Sequence, residues 1–115
     1  MGKVFLVQDK FNGRYYALKS IHKKWVVQNN QVHHTRTERD VLEILSRVDH
    51  PFLLKMHHAF QSECNLNIVL DYHAGGDMAS QLFTHRKFPE PVVKFYAAEI
   101  ILGLEELHRH EIIYR

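Results

Sequence analysis

A chain of 115 residues, 45% hydrophobic and 24% charged, suits one modest folded domain with a single core rather than a disordered segment. Its formal charge of +2 is too small to imply nucleic acid or a membrane surface, and no apolar run approaches the roughly 20 residues of a membrane span. The single cysteine, Cys64, excludes an internal disulfide and fits a reducing compartment, so a cytoplasmic location is expected, with the nucleus as the alternative.

The opening MGKVFLVQDK lacks the apolar core of a secretion signal, and Leu6 stands where a myristoylation pattern needs serine or threonine. KVFLVQDKFNGRYYALKSI predicts two strands joined by a turn at Asn12-Gly13. Strand alternation places Tyr15, Ala17, Lys19 and Ile21 on one face and Tyr16, Leu18 and Ser20 on the other. HKKWVVQNN is polar with an apolar centre and reads as a short helix or a connecting segment. From Gln31 to about Val48 the period turns helical, with Val41, Leu42, Leu45 and Val48 forming a stripe. His50-Pro51 ends that helix, because the residue before proline avoids the helical region.

FLLKMHHAFQ and LNIVLDY predict two further strands, with SECN turning between them. AGGD is a breaker, and Asp77 is placed to cap a short helix through MASQLFTH. FPEPVVKFYAAEIILGLEELHRH is the strongest helix: Pro91 suits its first turn, and Gly103 is its one breaker. It is apolar almost all round from Val92 to Leu107, which predicts burial on several sides. The element order implies an α+β fold with mainly antiparallel strands.

One charge stands out. Lys19 shares a strand face with Ala17 and Ile21, so it must reach water, find a partner or bind an anion. Glu38 shares the helical stripe of Val41, Leu42 and Leu45 and has the complementary problem. Spacing alone leaves two readings: the two pair with each other, leaving ammonium donors for an anionic ligand, or both snorkel to solvent.

The order of motifs decides the reading. Gly2, Val4, YALK, a helical Glu38 and LDYHAGGD together resemble the small lobe of a protein kinase. HTRTERDVLEIL, HPFLLKMHHAFQ, NLNIVLDYHAGGDM and FYAAEIILGLEELHRHEIIYR are similar to the AGC group of serine/threonine kinases, so the resemblance covers essentially the whole chain. It implies a small lobe over residues 1–72, whose antiparallel sheet lacks its first strand. A hinge and linker over 73–77 and the first large-lobe helices over 78–115 would follow.

The resemblance also implies roles. Lys19 would hold ATP phosphates, fixed by an ion pair with Glu38. Gly2 would belong to the glycine-rich loop, and Val4 and Ala17 would cover the adenine. Leu70 would be the gatekeeper, backbone groups of Asp71 and His73 would meet the adenine edge, and Asp77 would reach the ribose. Leu42 and Met56 would form the apolar spine, which is equally an ordinary core. His34 resembles the histidine that meets an activation-loop phosphate. The groove beside the Glu38 helix, walled by Val27, Val32 and Leu66, would receive a C-terminal hydrophobic tail or, in a non-catalytic reading, another partner.

In the family the residue after IIYR is the catalytic aspartate, and the magnesium-holding residues follow it. A polypeptide of these residues alone is therefore expected to be catalytically inactive. It is also expected to self-associate through its last helix. Asn67 replaces a usual aromatic, and an amide in a buried strand needs hydrogen-bond partners.

Ten histidines raise the question of a metal. His33-His34 and His57-His58 are adjacent pairs whose side chains should diverge. Glu105 and His108 have a di-iron-like spacing but lack a second set, so no metal site is expected. The scattered basic residues, with little aromatic interleaving, point away from nucleic acid.

Overall fold

The computed structural model describes residues 2–115. The chain divides into two compact units, Met1–Asp49 with Leu54–Tyr72, and His50–Leu53 with His73–Arg115. The first unit holds strands β1 (Lys3–Gln8) and β2 (Tyr15–His22), helices α1 (Lys23–Gln28) and α2 (Val32–Ser46), and strands β3 (Met56–Gln61) and β4 (Asn65–Asp71). The strands make one antiparallel sheet in the order β1-β2-β4-β3.

The β1–β2 connection is wider than the two-residue turn expected at Asn12-Gly13. The ladder ends at Gln8 opposite Tyr15, and the Asp9 carboxylate accepts the Phe11 and Asn12 amides at 2.7 and 3.0 Å. Those bonds, Asn12's first, hold the Asp9 carboxyl below its ordinary range. This local capping by an aspartate outcompetes the tighter turn, and Gly13 supplies the left-handed residue at φ 70°.

Register fixes the faces. Val4 and Leu6 lie opposite Lys19 and Ala17, which lie opposite Ile68 and Leu70. Met56 in turn lies opposite Leu70, so all of these side chains share one face. On it Met56, Ile68 and Leu70 form the buried cluster, with Ala17 and Leu42 packed against them. β3 begins at Met56 rather than at Phe52. A bulge between Met56 and His58 then interrupts its alternation, so the expected simple divergence of His57 from His58 does not apply.

His22 caps α1 by accepting the Lys24 amide on Nδ1 at 3.3 Å. Asn30, in the left-handed region at φ 53°, separates α1 from α2. Asn67 is 8% exposed, and among the described residues no buried side-chain nitrogen or oxygen lacks a partner.

The second unit contains α3 (Met78–His85) and α4 (Glu90–Arg109). Asp77 caps α3, its two carboxylate oxygens accepting the Ser80 amide at 2.7 Å and the Ser80 hydroxyl at 2.9 Å. The Ser80 amide bond, and then the hydroxyl bond, lower the Asp77 pKa from its ordinary 3.8. The folded-state value lies below the unfolded one, so the cap stabilises above the unfolded value and is lost as pH falls through the folded one. Acid titration followed at the Ser80 amide should therefore show the start of α3 loosening below the ordinary aspartate range. Asp77→Ala should remove that transition.

In α4, Pro91 and Glu90 lie in the first turn and His108 and Arg109 in the last, matching the helix dipole. A Cβ on Gly103 would stand 3.4 Å from the Phe52 carbonyl oxygen, so the glycine permits a close approach by that segment. The expected burial of α4 on several sides is not met. Phe95 is 64% and Ile101 63% exposed, and among its residues Gly103 and Leu107 are buried. Within its unit, α3, the short 50–53 segment and Phe88, whose ring centre lies 5.8 Å from that of Tyr96, give this helix partial cover. Among the described residues no helix is long and apolar enough to cross a membrane.

Candidate functional site

Lys19 lies mid-strand in β2, and its Nζ donates to Glu38 Oε1 of α2 at 2.5 Å. Of the two readings that spacing allowed, the structure has the paired one. The lysine side chain is 18% exposed and the glutamate 39%, so the ammonium is largely removed from bulk water while its partner reaches the surface. An ammonium has three donors; one bond to Glu38 leaves two for an incoming anion. Both side chains are positioned by regular elements, which favours a fixed geometry.

Val4 faces the same way as Lys19 from the neighbouring strand and is exposed, while Ala17 is half-buried and Leu70 is 9% exposed in the core cluster. The sheet thus presents an ammonium and a small apolar surface on one face. Gly2 precedes β1; a Cβ there would meet the Ser20 carbonyl oxygen at 2.9 Å, so close backbone approach alone requires a glycine.

At the end of β4 the Asp71 amide donates to the Lys55 carbonyl at 3.1 Å. Its carboxylate lies 2.6 Å from His57 Nε2, a contact the sequence reading missed. No signal in the sequence marks it, since a bulge re-aims a side chain that alternation would send elsewhere. In the second unit, the His73 carbonyl accepts the Gly76 amide at 3.1 Å, and Asp77 serves as the helix cap.

A separate groove of about 420 Å³ lies among α1, α2, β3 and β4. Val27, Val32 and Leu66, the three expected wall residues, all line it, with Lys23, Arg36 and Arg39 adding positive charge. Arg39 is also engaged by the neighbouring Asp40. His34 is exposed on α2. Glu105 lies 3.8 Å from Arg109, and among the described residues no cluster of three or more His, Cys, Asp or Glu side chains converges.

A lysine on the second strand paired to a helical glutamate, over an antiparallel sheet, defines the class. The family described as Protein kinase domain matches residues 1–115, and the chain belongs to that family. Its sheet and Glu38 helix form the small lobe, and α3 and α4 begin the helical lobe. Over 114 residues it is 46% identical to cAMP-dependent protein kinase type 3 of Saccharomyces cerevisiae, covering 99% of this chain and 28% of that protein. The cAMP-dependent protein kinase catalytic subunit of Schizosaccharomyces pombe is 47% identical over 114 residues, covering 99% of this chain and 22% of that protein. Ribosomal protein S6 kinase alpha-4 of Homo sapiens is 44% identical over 118 residues, covering 99% of this chain and 15% of that protein. These relatives place the chain with the AGC-type serine/threonine kinases, of which it spans under a third of the length.

Proposed function

We infer that these residues are the ATP-binding portion of a serine/threonine protein kinase, whose whole-protein activity is transfer of the ATP γ-phosphate to serine or threonine of protein substrates. The Lys19–Glu38 pair carries the reading, because it holds an ammonium with two unused donors beside an apolar surface that suits a flat base. The groups present fit the nucleotide. Lys19 would bond phosphate oxygens, and Val4, Ala17 and Leu70 would line the adenine side. The Asp71 amide donates to the Lys55 carbonyl, and by family resemblance the Asp71 carbonyl oxygen would meet a donor on the adenine edge. The His73 carbonyl is engaged by Gly76, which leaves its amide as the donor. Gly2 and Asp77 join the set by family resemblance, toward phosphate and ribose respectively.

ATP supplies the transferable phosphoryl group when bound. Magnesium is the family's metal, and among the described residues no set of three or more His, Cys, Asp or Glu side chains converges to hold it. Saturable ATP binding, measured by calorimetry on the full chain, tests the reading; absence of binding at millimolar ATP would overturn it. A polypeptide of these residues alone should show no metal-dependent transfer from radiolabelled ATP.

The groove supports a second reading, since its apolar walls and basic rim suit a hydrophobic tail segment flanked by acidic residues. Such a peptide should bind the chain, and Leu66→Asp should weaken it by roughly tenfold or more, since a carboxylate would enter an apolar wall. Equal binding by the variant would discard the groove as the site. The exposed Phe95 and Ile101 favour non-specific self-association of a polypeptide of these residues, which sedimentation at rising concentration would reveal.

A further inference from the structure

The face of the sheet opposite Lys19 carries a second fixed contact, at the end of β4. Asp71 lies directly opposite Tyr16 of β2, and the His57 ring meets the Tyr16 ring edge-on at 4.8 Å and 64°. His57 reaches this position because it sits at the bulge of β3, where the ladder moves from Met56–Leu70 to His58–Val69. From there its Nε2 lies 2.6 Å from Asp71 Oδ1, a donating N–H against a carboxylate in either the neutral Nε2–H or the protonated ring. The pair is partly shielded, at 27% and 37% exposure, so water competes with it less than at an open surface. Tyr16 is itself tethered through a 3.4 Å bond from Asn12 Nδ2 to its hydroxyl. Three strands therefore meet in one side-chain cluster, joined by the 3.1 Å bond from the Asp71 amide to Lys55.

We propose that His57 is a positioning residue for nucleotide recognition. By holding Asp71 from the bulge, it fixes the end of β4 and the backbone carbonyl offered to adenine. The role rests on the ATP reading above. Strand ends open first, and adenine recognition through a backbone carbonyl requires a strand end that does not fray. The cluster lies on the face away from Lys19, so it acts on the base and not on the phosphates.

Two measurements on the full chain separate this from a general stabilising contact. Hydrogen exchange at the Asp71 amide should speed up by roughly three- to tenfold in His57→Ala, the range expected for one lost hydrogen bond. In the same variant adenosine should bind about three- to tenfold more weakly while pyrophosphate binding stays within about twofold. His57→Gln, which keeps a donor, should restore both. Unchanged Asp71 exchange in His57→Ala overturns the role even if nucleotides bind normally. So does an equal loss of adenosine and pyrophosphate, or a glutamine variant that behaves like the alanine one. If the unaltered chain binds neither ligand while Asp71 exchange still depends on His57, the ATP reading fails and takes the positioning role with it.

Discussion

Lys19→Met is expected to weaken ATP binding by about tenfold or more while moving the melting temperature by only a few degrees, since a partly exposed ion pair contributes about 0–1 kcal/mol. The two effects separate because the lysine has two tasks. Its bond to Glu38 is a pairing with a glutamate that is 39% exposed, where water and salt screen the attraction. Its remaining donors would meet a multiply charged phosphate chain that nothing else on this sheet face neutralises. Glu38→Gln should fall between the two, at roughly threefold, because an uncharged amide still accepts one hydrogen bond but aims the ammonium less firmly. Calorimetry with ATP and a thermal melt on each variant give both quantities. Wild-type ATP affinity in Lys19→Met would remove the phosphate role and leave the ion pair as a structural tie between sheet and helix.

Ile68→Ala should destabilise the first unit by about 2–5 kcal/mol, a large share of the roughly 5–15 kcal/mol that holds a domain of ordinary stability. Ile68 is 4% exposed on β4, between β2 and β3, and contributes to the cluster with Met56 and Leu70. Removing its branch leaves a void that these strands and α2 cannot close without shifting register. Ile68→Asp should abolish cooperative unfolding, since it puts a carboxylate into the apolar cluster, opposite a Lys19 already paired with Glu38. Phe11→Ala provides the control: this ring is fully exposed at the hairpin loop, so its loss should lie within about 0.5 kcal/mol of neutral. Urea denaturation of the three variants measures the order. A Phe11 variant as damaged as Ile68→Ala would mean that the core has been placed wrongly.

The sequence carried the elements whose signals are local. The Val41, Leu42, Leu45 stripe, the Asp77 cap and the Pro91 start all depend on residues within a few positions of one another. Lys19 and Glu38 are 19 residues apart, so pattern alone posed their meeting as one of two outcomes, and the kinase resemblance was needed to choose. The first hairpin loop is wider than its Asn-Gly pair signals because Asp9 competes for the same amides that a tight Asn-Gly turn leaves to other partners. The late start of β3 had a similar cause: the Phe52 amide bonds to the His50 ring after Pro51, so the apolar run there forms a turn. The His57–Asp71 contact was not legible at all, because alternation carries no mark of where a strand gains an extra residue.

That extra residue also sets the parity of everything before it. With the bulge present, Met56 falls opposite Leu70 on the core face. Pairing the same residues without a bulge would put His57 opposite Leu70 on the core face and Met56 opposite Asp71 on the other. Deleting His57 would instead leave Met56 opposite Leu70, so the core face would keep its residues and only the contact to Asp71 would be lost. In a lineage of such chains, a missing residue here should mark loss of the tie to Asp71 and not loss of the core.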